Sequence, residues 1–81
     1  MNIFIGNLNY KIREEQLGNL LSEFGDVRSV KIVMDRETGR SKGFGFVEMS
    51  NDAEASAAIK ELNGSEFEGR TMVVNEARPR N

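Results

Sequence analysis

Residues 42–49, KGFGFVEM, set two phenylalanines two positions apart inside a run with the composition of a β-strand. Residues two apart on a strand share a face, so Phe44 and Phe46 point one way and Gly45 and Val47 the other. Any fold built on this strand carries rings on one face and small or branched groups on the opposite one. The rest of the chain decides which face is covered.

The same two-residue period recurs in three other stretches. Residues 2–6, NIFIG, alternate Ile3 and Ile5 against Phe4, and Val27 to Met34 alternates Val30, Ile32 and Met34 against Lys31 and Val33. Thr71 to Ala77 forms a last strand, which Pro79 keeps from extending. Between them lie two helical stripes. From Arg13 to Phe24, Leu17, Leu20, Leu21 and Phe24 recur at helical spacing, with Glu14 and Glu15 in the first turn and Gly25 as the stop. In the second, Asn51 has the character of an N-cap and Glu54 completes a capping-box variant; Ala55, Ala58, Ile59 and Leu62 form the stripe, and Asn63-Gly64 ends it. Asn7 to Ile12 is a loop, Asp35 to Ser41 joins the second and third strands as an antiparallel hairpin with Gly39 near its tip, and Ser65 to Arg70 is a plain connector.

This order, strand, helix, strand, strand, helix, strand, with no repeat beyond its two similar halves, predicts one domain spanning residues 1–81. Right-handed crossovers put both helices on one side of a four-stranded antiparallel sheet, a two-layer α+β sandwich. Only four residues follow Ala77, too few for a third helix to cover the other side.

The rings must then face either the helices or open solvent. Burying a phenylalanine is worth about 1.5–3 kcal/mol, which favours the core in general. Here Ile3 with Ile5, Val30 with Ile32, Val47 with Met49, and Met72 with Val74 already supply an aliphatic face on every strand, and Gly43 and Gly45 are expected to let the helices approach. The opposite face holds Asn2, Lys31, Lys42, Glu48 and Asn75 around Phe4, Phe44 and Phe46, and burying that set would strand unpaired charge. The rings are therefore expected on the uncovered face, where an exposed aromatic patch marks a binding site.

What such a patch binds depends on charge. The net charge is −2, but it is segregated: Arg28 to Lys42 holds five basic residues against Asp35 and Glu37, whereas Glu48 to Glu68 holds six acids against Lys60. A local anion site is compatible with that distribution. The chain has no cysteine and no histidine, so disulfides, thiolate nucleophiles and the commonest metal ligands and neutral-pH acid–base groups are missing. An enzyme, a metal and a cofactor are not expected. No apolar run reaches the length of a signal segment or a membrane span, which predicts a cytoplasmic protein without a membrane partner.

From end to end the chain resembles an RNA recognition motif. KGFGFVEM fits the family's longer ribonucleoprotein signature at seven positions, and IFIGNL, residues 3–8, fits the shorter one throughout; short single-domain bacterial members are similar. The resemblance implies a ferredoxin-like βαββαβ sandwich with the two signatures on adjacent central strands. It also implies that Phe4 and Phe44 each stack a base of single-stranded RNA, that Phe46 packs against a sugar or between bases, and that Lys42 meets a phosphate. Met49 departs from the family, which usually has an aromatic residue there; by parity Met49 faces the helices and alters packing only.

Around the rings, Asn2, Lys31, Asn75 and the backbone near Ala77 are the candidates for base selection, and Glu48 would repel phosphate or accept from a base donor. The loop Asp35 to Ser41 either pinches RNA with Arg36 and Arg40 or is a solvated turn, and Arg78 and Arg80 either reach phosphates or form a plain tail. Tyr10 is expected to prop the first loop, and Lys11 and Arg13 to be surface charges. The alternatives are single-stranded DNA as ligand, or a protein-interaction module of the same fold that takes its partner on the helical face. A monomer is expected. An acylphosphatase-like hydrolase would need a phosphate-cradling loop after the first strand, and Asn7 to Ile12 has no glycine-rich nest.

Overall fold

The computed structural model describes residues 1–77; the expectations for Arg78, Pro79 and Arg80 lie outside the described residues. The elements are β1 (Asn2–Gly6), α1 (Glu14–Ser22), β2 (Val27–Met34), β3 (Ser41–Met49), α2 (Asp52–Leu62), β4 (Glu66–Phe67), β5 (Arg70–Thr71) and β6 (Val73–Ala77). β2, β3, β1 and β6 form one antiparallel sheet in that order, which is the two-layer βαββαβ sandwich.

α1 starts where Gln16 Oε1 accepts the Arg13 N–H at 2.9 Å. It ends two residues earlier than the apolar stripe predicts, because the Phe24 N–H bonds back to the Leu21 carbonyl, three residues away, and tightens the last turn. α2 starts on the Asn51 side chain, which accepts the Glu54 N–H at 2.9 Å. The Glu54 side chain itself lies over Gly25.

The stretch that reads as a connector is a small hairpin. Glu66 and Phe67 pair with Thr71 and Arg70 across a two-residue loop, Glu68-Gly69, in which both residues have positive φ, 51° and 80°. That is the geometry of the tight turns that join short hairpins. The last strand accordingly begins at Val73, since Thr71 is used by the hairpin and Met72 bonds to Gly64 and Ser65.

Alternation decides the faces as expected except at Met34, which the pattern groups with Val30 and Ile32 but which lies beyond the slip in the β2–β3 register and is exposed. Ile3, Ile5, Ile32, Val47, Met49, Met72 and Val74 are buried against Leu17 and Leu21 of α1 and Ala55, Ala58 and Leu62 of α2, with Val30 packed at the margin. The helices are also tied to the sheet edges: the Glu14 carboxylate accepts the Ile32 N–H on β2 at 3.1 Å, and Asn63 Oδ1 accepts the Val74 N–H on β6 at 3.0 Å. The smallest dimension of the domain is 19 Å, room for one sheet and one layer of helices about 10 Å across.

The two glycines of β3 act differently from the expectation that they admit the helices. A side chain at Gly45 would run into the Lys31 carbonyl of the neighbouring strand, and Gly43, at φ +82°, sits under Tyr10 and the Leu8 carbonyl. The pairing of β2 with β3 slips between Ile32 and Met34, where β3 has two extra residues, and Gly43 turns the backbone through that irregularity. No helix among the described residues is long and apolar enough to cross a membrane.

Candidate functional site

The uncovered sheet face is organised in rows across the strands, because directly opposed residues of antiparallel neighbours share a face. One row runs Lys31, Phe46, Phe4, Asn75 from β2 to β6; the row beside it runs Ser29, Glu48, Asn2, Ala77. The structure thus brings together eight positions from four strands, seven of which the sequence singled out. Glu48 accepts a long bond, 3.4 Å, from the Ser29 hydroxyl and is otherwise open to solvent.

Phe4, Phe44 and Phe46 form a triangle in which each ring touches the other two. Centroids are 5.9 Å apart for Phe4 and Phe44, 5.8 Å for Phe4 and Phe46 and 6.4 Å for Phe44 and Phe46, tilted or edge-to-face. These are favourable aromatic geometries, about 0.5–1.5 kcal/mol per pair beyond area burial. The rings hold one another in place while their outer surfaces stay accessible; Phe46 is 39% exposed.

Gly6, on β1, shapes this cluster and was not singled out from the sequence. A methyl group there would lie 2.9 Å from Cε2 and Cζ of Phe4, so the Phe4 ring rests on the bare backbone of Gly6. Its cross-strand partner Val73, 44% exposed, extends the apolar surface toward β6.

Beside the triangle, Phe4, Gly6, Phe44, Lys42, Tyr10, Asn7 and Arg70 border a shallow depression of about 200 Å³. Lys42 is where the signature puts it. Arg70 arrives from a distant part of the chain, on the β4–β5 hairpin, and Nη2 donates to Asn7 Oδ1 at 2.7 Å. Asn7 Nδ2 donates in turn to the Thr71 carbonyl at 2.6 Å, and Asn9 Nδ2 to the Glu68 carbonyl at 3.2 Å, so the hairpin is bound to the β1–α1 loop. Two cations therefore flank the depression next to the rings. An alternation pattern has no means of placing Arg70, because two-residue strands are too short to display one.

Arg40 does not join the ring face. It belongs to the β2–β3 loop and lines a separate cleft, while Arg36 is exposed in the turn. The loop is ordered by its own bonds: Asp35 Oδ1 accepts the N–H groups of Glu37 at 2.8 Å and Thr38 at 3.2 Å, and the Asp35 N–H donates to the Arg40 carbonyl at 2.7 Å. Those two amides, Glu37 first, hold the Asp35 carboxyl below its ordinary range, with a smaller contribution from Lys42. Among the described residues no grouping of three or more histidine, cysteine, aspartate or glutamate side chains is arranged to hold a metal ion.

The profile of the RNA recognition motif matches residues 3–73. A protein of Nostoc sp. strain PCC 7120, RbpB, named for a proposed RNA-binding role, is 52% identical over 80 residues, spanning 99% of this chain and 78% of its own length. The crystal structure of an RNA-binding protein named PG1 superposes with a TM-score of 0.96 at 54% identity, covering 100% of this chain and 98% of that one. The RNA recognition motif of Rna15, solved with bound GU RNA, superposes with a TM-score of 0.86 at 31% identity, covering 96% and 83%.

Proposed function

The chain belongs to the RNA recognition motif family, and on that premise we propose that residues 1–81 act as a single motif that binds short single-stranded RNA across the uncovered sheet face. The family is one of binding domains, and this chain is not an enzyme. Phe4 and Phe44 each stack a base, Phe46 packs against a sugar or between bases, and Lys42 meets a phosphate. Asn2, Lys31, Glu48, Asn75 and the backbone at Ala77 lie around the bases and select among them. Arg70, which borders the same depression as Lys42, serves as a second phosphate contact.

The observation that carries this reading is the ring triangle: three aromatic side chains in mutual contact on a face that no helix among the described residues covers. Splayed single-stranded bases stack on such a surface, whereas duplex bases are already stacked and their edges hidden. Each stacked base contributes about 1–3 kcal/mol. Two stacked bases and one or two phosphate contacts give recognition of two to four nucleotides in the micromolar to millimolar range.

The test is a fluorescence-anisotropy titration of a randomised single-stranded RNA pool at two salt concentrations, with the wild type and the Phe44→Ala/Phe46→Ala variant. Circular dichroism checks that the variant is folded, and a DNA pool of the same length reports selectivity for ribose. Loss of binding in a folded variant is expected. Equal binding by the variant refutes stacking, and no binding by the wild type refutes the reading as a whole.

A further inference from the structure

We infer that Asn63-Gly64 is a self-modification site gated by β6: the Asn63 side-chain amide is lost to attack by the Gly64 nitrogen when β6 leaves the sheet edge, and the isomerised product no longer holds that strand. The gate is independent of the proposed function; its sensitivity to RNA rests on that reading.

Asn63-Gly64 is the one Asn-Gly pair in the sequence. A glycine has no side chain to shield its nitrogen and its backbone turns freely, so that nitrogen reaches the preceding side chain more readily than any other residue's. A base removes the Gly64 N–H proton, the nitrogen bonds to Asn63 Cγ, and the side-chain nitrogen departs as ammonia with a proton from water. Water then opens the cyclic imide at either carbonyl. One opening leaves aspartate. The other leaves isoaspartate, in which the main chain is routed through Cβ and is longer by a methylene.

In the folded domain both reacting groups are held. The Gly64 N–H donates to the Met72 carbonyl at 2.9 Å, which engages the proton that must leave, and Asn63 Oδ1 accepts the Val74 N–H at 3.0 Å, which fixes the side-chain amide. The Asn63 N–H bonds back to the Ile59 carbonyl at 2.9 Å, so the residue is also tied to the end of α2. Burial is not the protection. Asn63 and Gly64 are exposed, and nothing lies within 4 Å of a methyl group placed on Gly64. Water and base reach the pair, and its hydrogen bonds keep it from reacting.

The bonds to Met72 and Val74 belong to one segment. Met72 immediately precedes β6 and Val74 lies in it, and among the described residues the only strand paired with β6 is β1. An edge strand opens with less loss of contact than a central one. When β6 lifts, the Gly64 nitrogen and the Asn63 amide are released together. The aspartate product keeps an acceptor for the Val74 N–H, but in isoaspartate the added methylene moves that oxygen away from its place beside β6. The strand carries Asn75 opposite Phe4 and Ala77 opposite Asn2, so its failure to dock removes two positions from the ring face. RNA lying across Asn75 and Ala77 holds β6 down and keeps the pair closed.

The experiment incubates the purified chain in mildly alkaline buffer, in urea, and with a single-stranded RNA pool, and follows Asn63 by peptide mass spectrometry with chromatographic separation of asparagine, aspartate and isoaspartate forms. Loss of the Asn63 amide is expected to be about tenfold faster or more in urea than in native buffer, with Asn63 the first asparagine to react. Val74→Ala removes buried methyl groups from β6 but keeps the Val74 N–H. It is expected to speed the native reaction about tenfold and to leave the rate in urea unchanged, with circular dichroism as the check on folding. RNA at ten times its dissociation constant is expected to slow the native reaction about tenfold. Equal rates in native buffer and urea overturn the gate, as does a native rate unchanged in folded Val74→Ala; if that variant does not fold, the comparison of native buffer with urea decides alone. RNA that binds without slowing the reaction overturns the link to the ring face. RNA that does not bind at all refutes the ring-face reading, and the urea and Val74→Ala comparisons still decide the gate.

Discussion

Gly6→Ala isolates the geometry of the platform from its composition, since every ring remains. The added methyl would lie 2.9 Å from two carbons of the Phe4 ring, against an ordinary separation of about 3.5–4.0 Å. The ring must retreat by at least about half an ångström from the Gly6 backbone on which it rests. That movement weakens the packing of Phe4 on Phe44 and Phe46, each pair worth about 0.5–1.5 kcal/mol, and replacing glycine within a strand returns about 0.5 kcal/mol of chain entropy. The net cost to stability is small, within about 1 kcal/mol. Binding suffers more, because a tilted Phe4 no longer offers its face: loss of one stacked base lowers affinity by about 1–3 kcal/mol, or roughly 5- to 150-fold. Anisotropy with a single-stranded RNA pool, paired with urea unfolding, measures both quantities. An affinity within twofold of wild type in the folded variant would refute the claim that the bare backbone at Gly6 orients the ring.

Met49→Ala should do the reverse, costing about 2–5 kcal/mol in urea unfolding while the folded protein keeps its RNA affinity, because Met49 is fully buried on the helical side; reduced affinity at a temperature where the variant is folded would contradict the face assignment. Arg70→Ala is expected to lower the salt slope of RNA binding by about 0.7, and Asn7→Ala to approach the same result by releasing the guanidinium, with an unchanged slope in both removing Arg70 from the site. The Asp35 carboxyl, followed by NMR, should titrate below an aspartate in a peptide. Since its folded value is the lowered one, its stabilisation of the β2–β3 loop is complete above the unfolded value and is lost as pH falls through the folded one. A midpoint at or above the peptide value would mean that the Glu37 and Thr38 amides are not its partners.

The faces of the sheet were legible because each long strand offers several alternating positions, and aliphatic groups at Ile3, Ile5, Val47 and Met49 leave the core no need of the rings. Residues whose roles depend on contacts between distant segments were not. Arg70 reaches Asn7 across 63 positions, through a hairpin whose strands are two residues long and which reads in the sequence as a plain connector. Gly6 reads as an ordinary strand terminus until the Phe4 ring is seen lying on it. Gly43 and Gly45 are sites of close approach, as the sequence suggests, but what approaches is the Leu8 carbonyl and Tyr10 at one and the neighbouring strand at the other.

The pairing of Phe4 directly opposite Phe46 joins ligand affinity to folding. Their rings come from strands more than forty positions apart in the chain, and only the formed β1–β3 ladder makes them neighbours. An unfolded chain presents Phe4, Phe44 and Phe46 separately, each with at most one base's worth of attraction. On the proposed stacking, RNA that spans the pair would act as a clamp on the ladder, and saturating RNA at a hundred times its dissociation constant would raise the free energy of unfolding by about 2.7 kcal/mol. In a cell the resistance of this small domain to proteolysis would rise and fall with the single-stranded RNA around it.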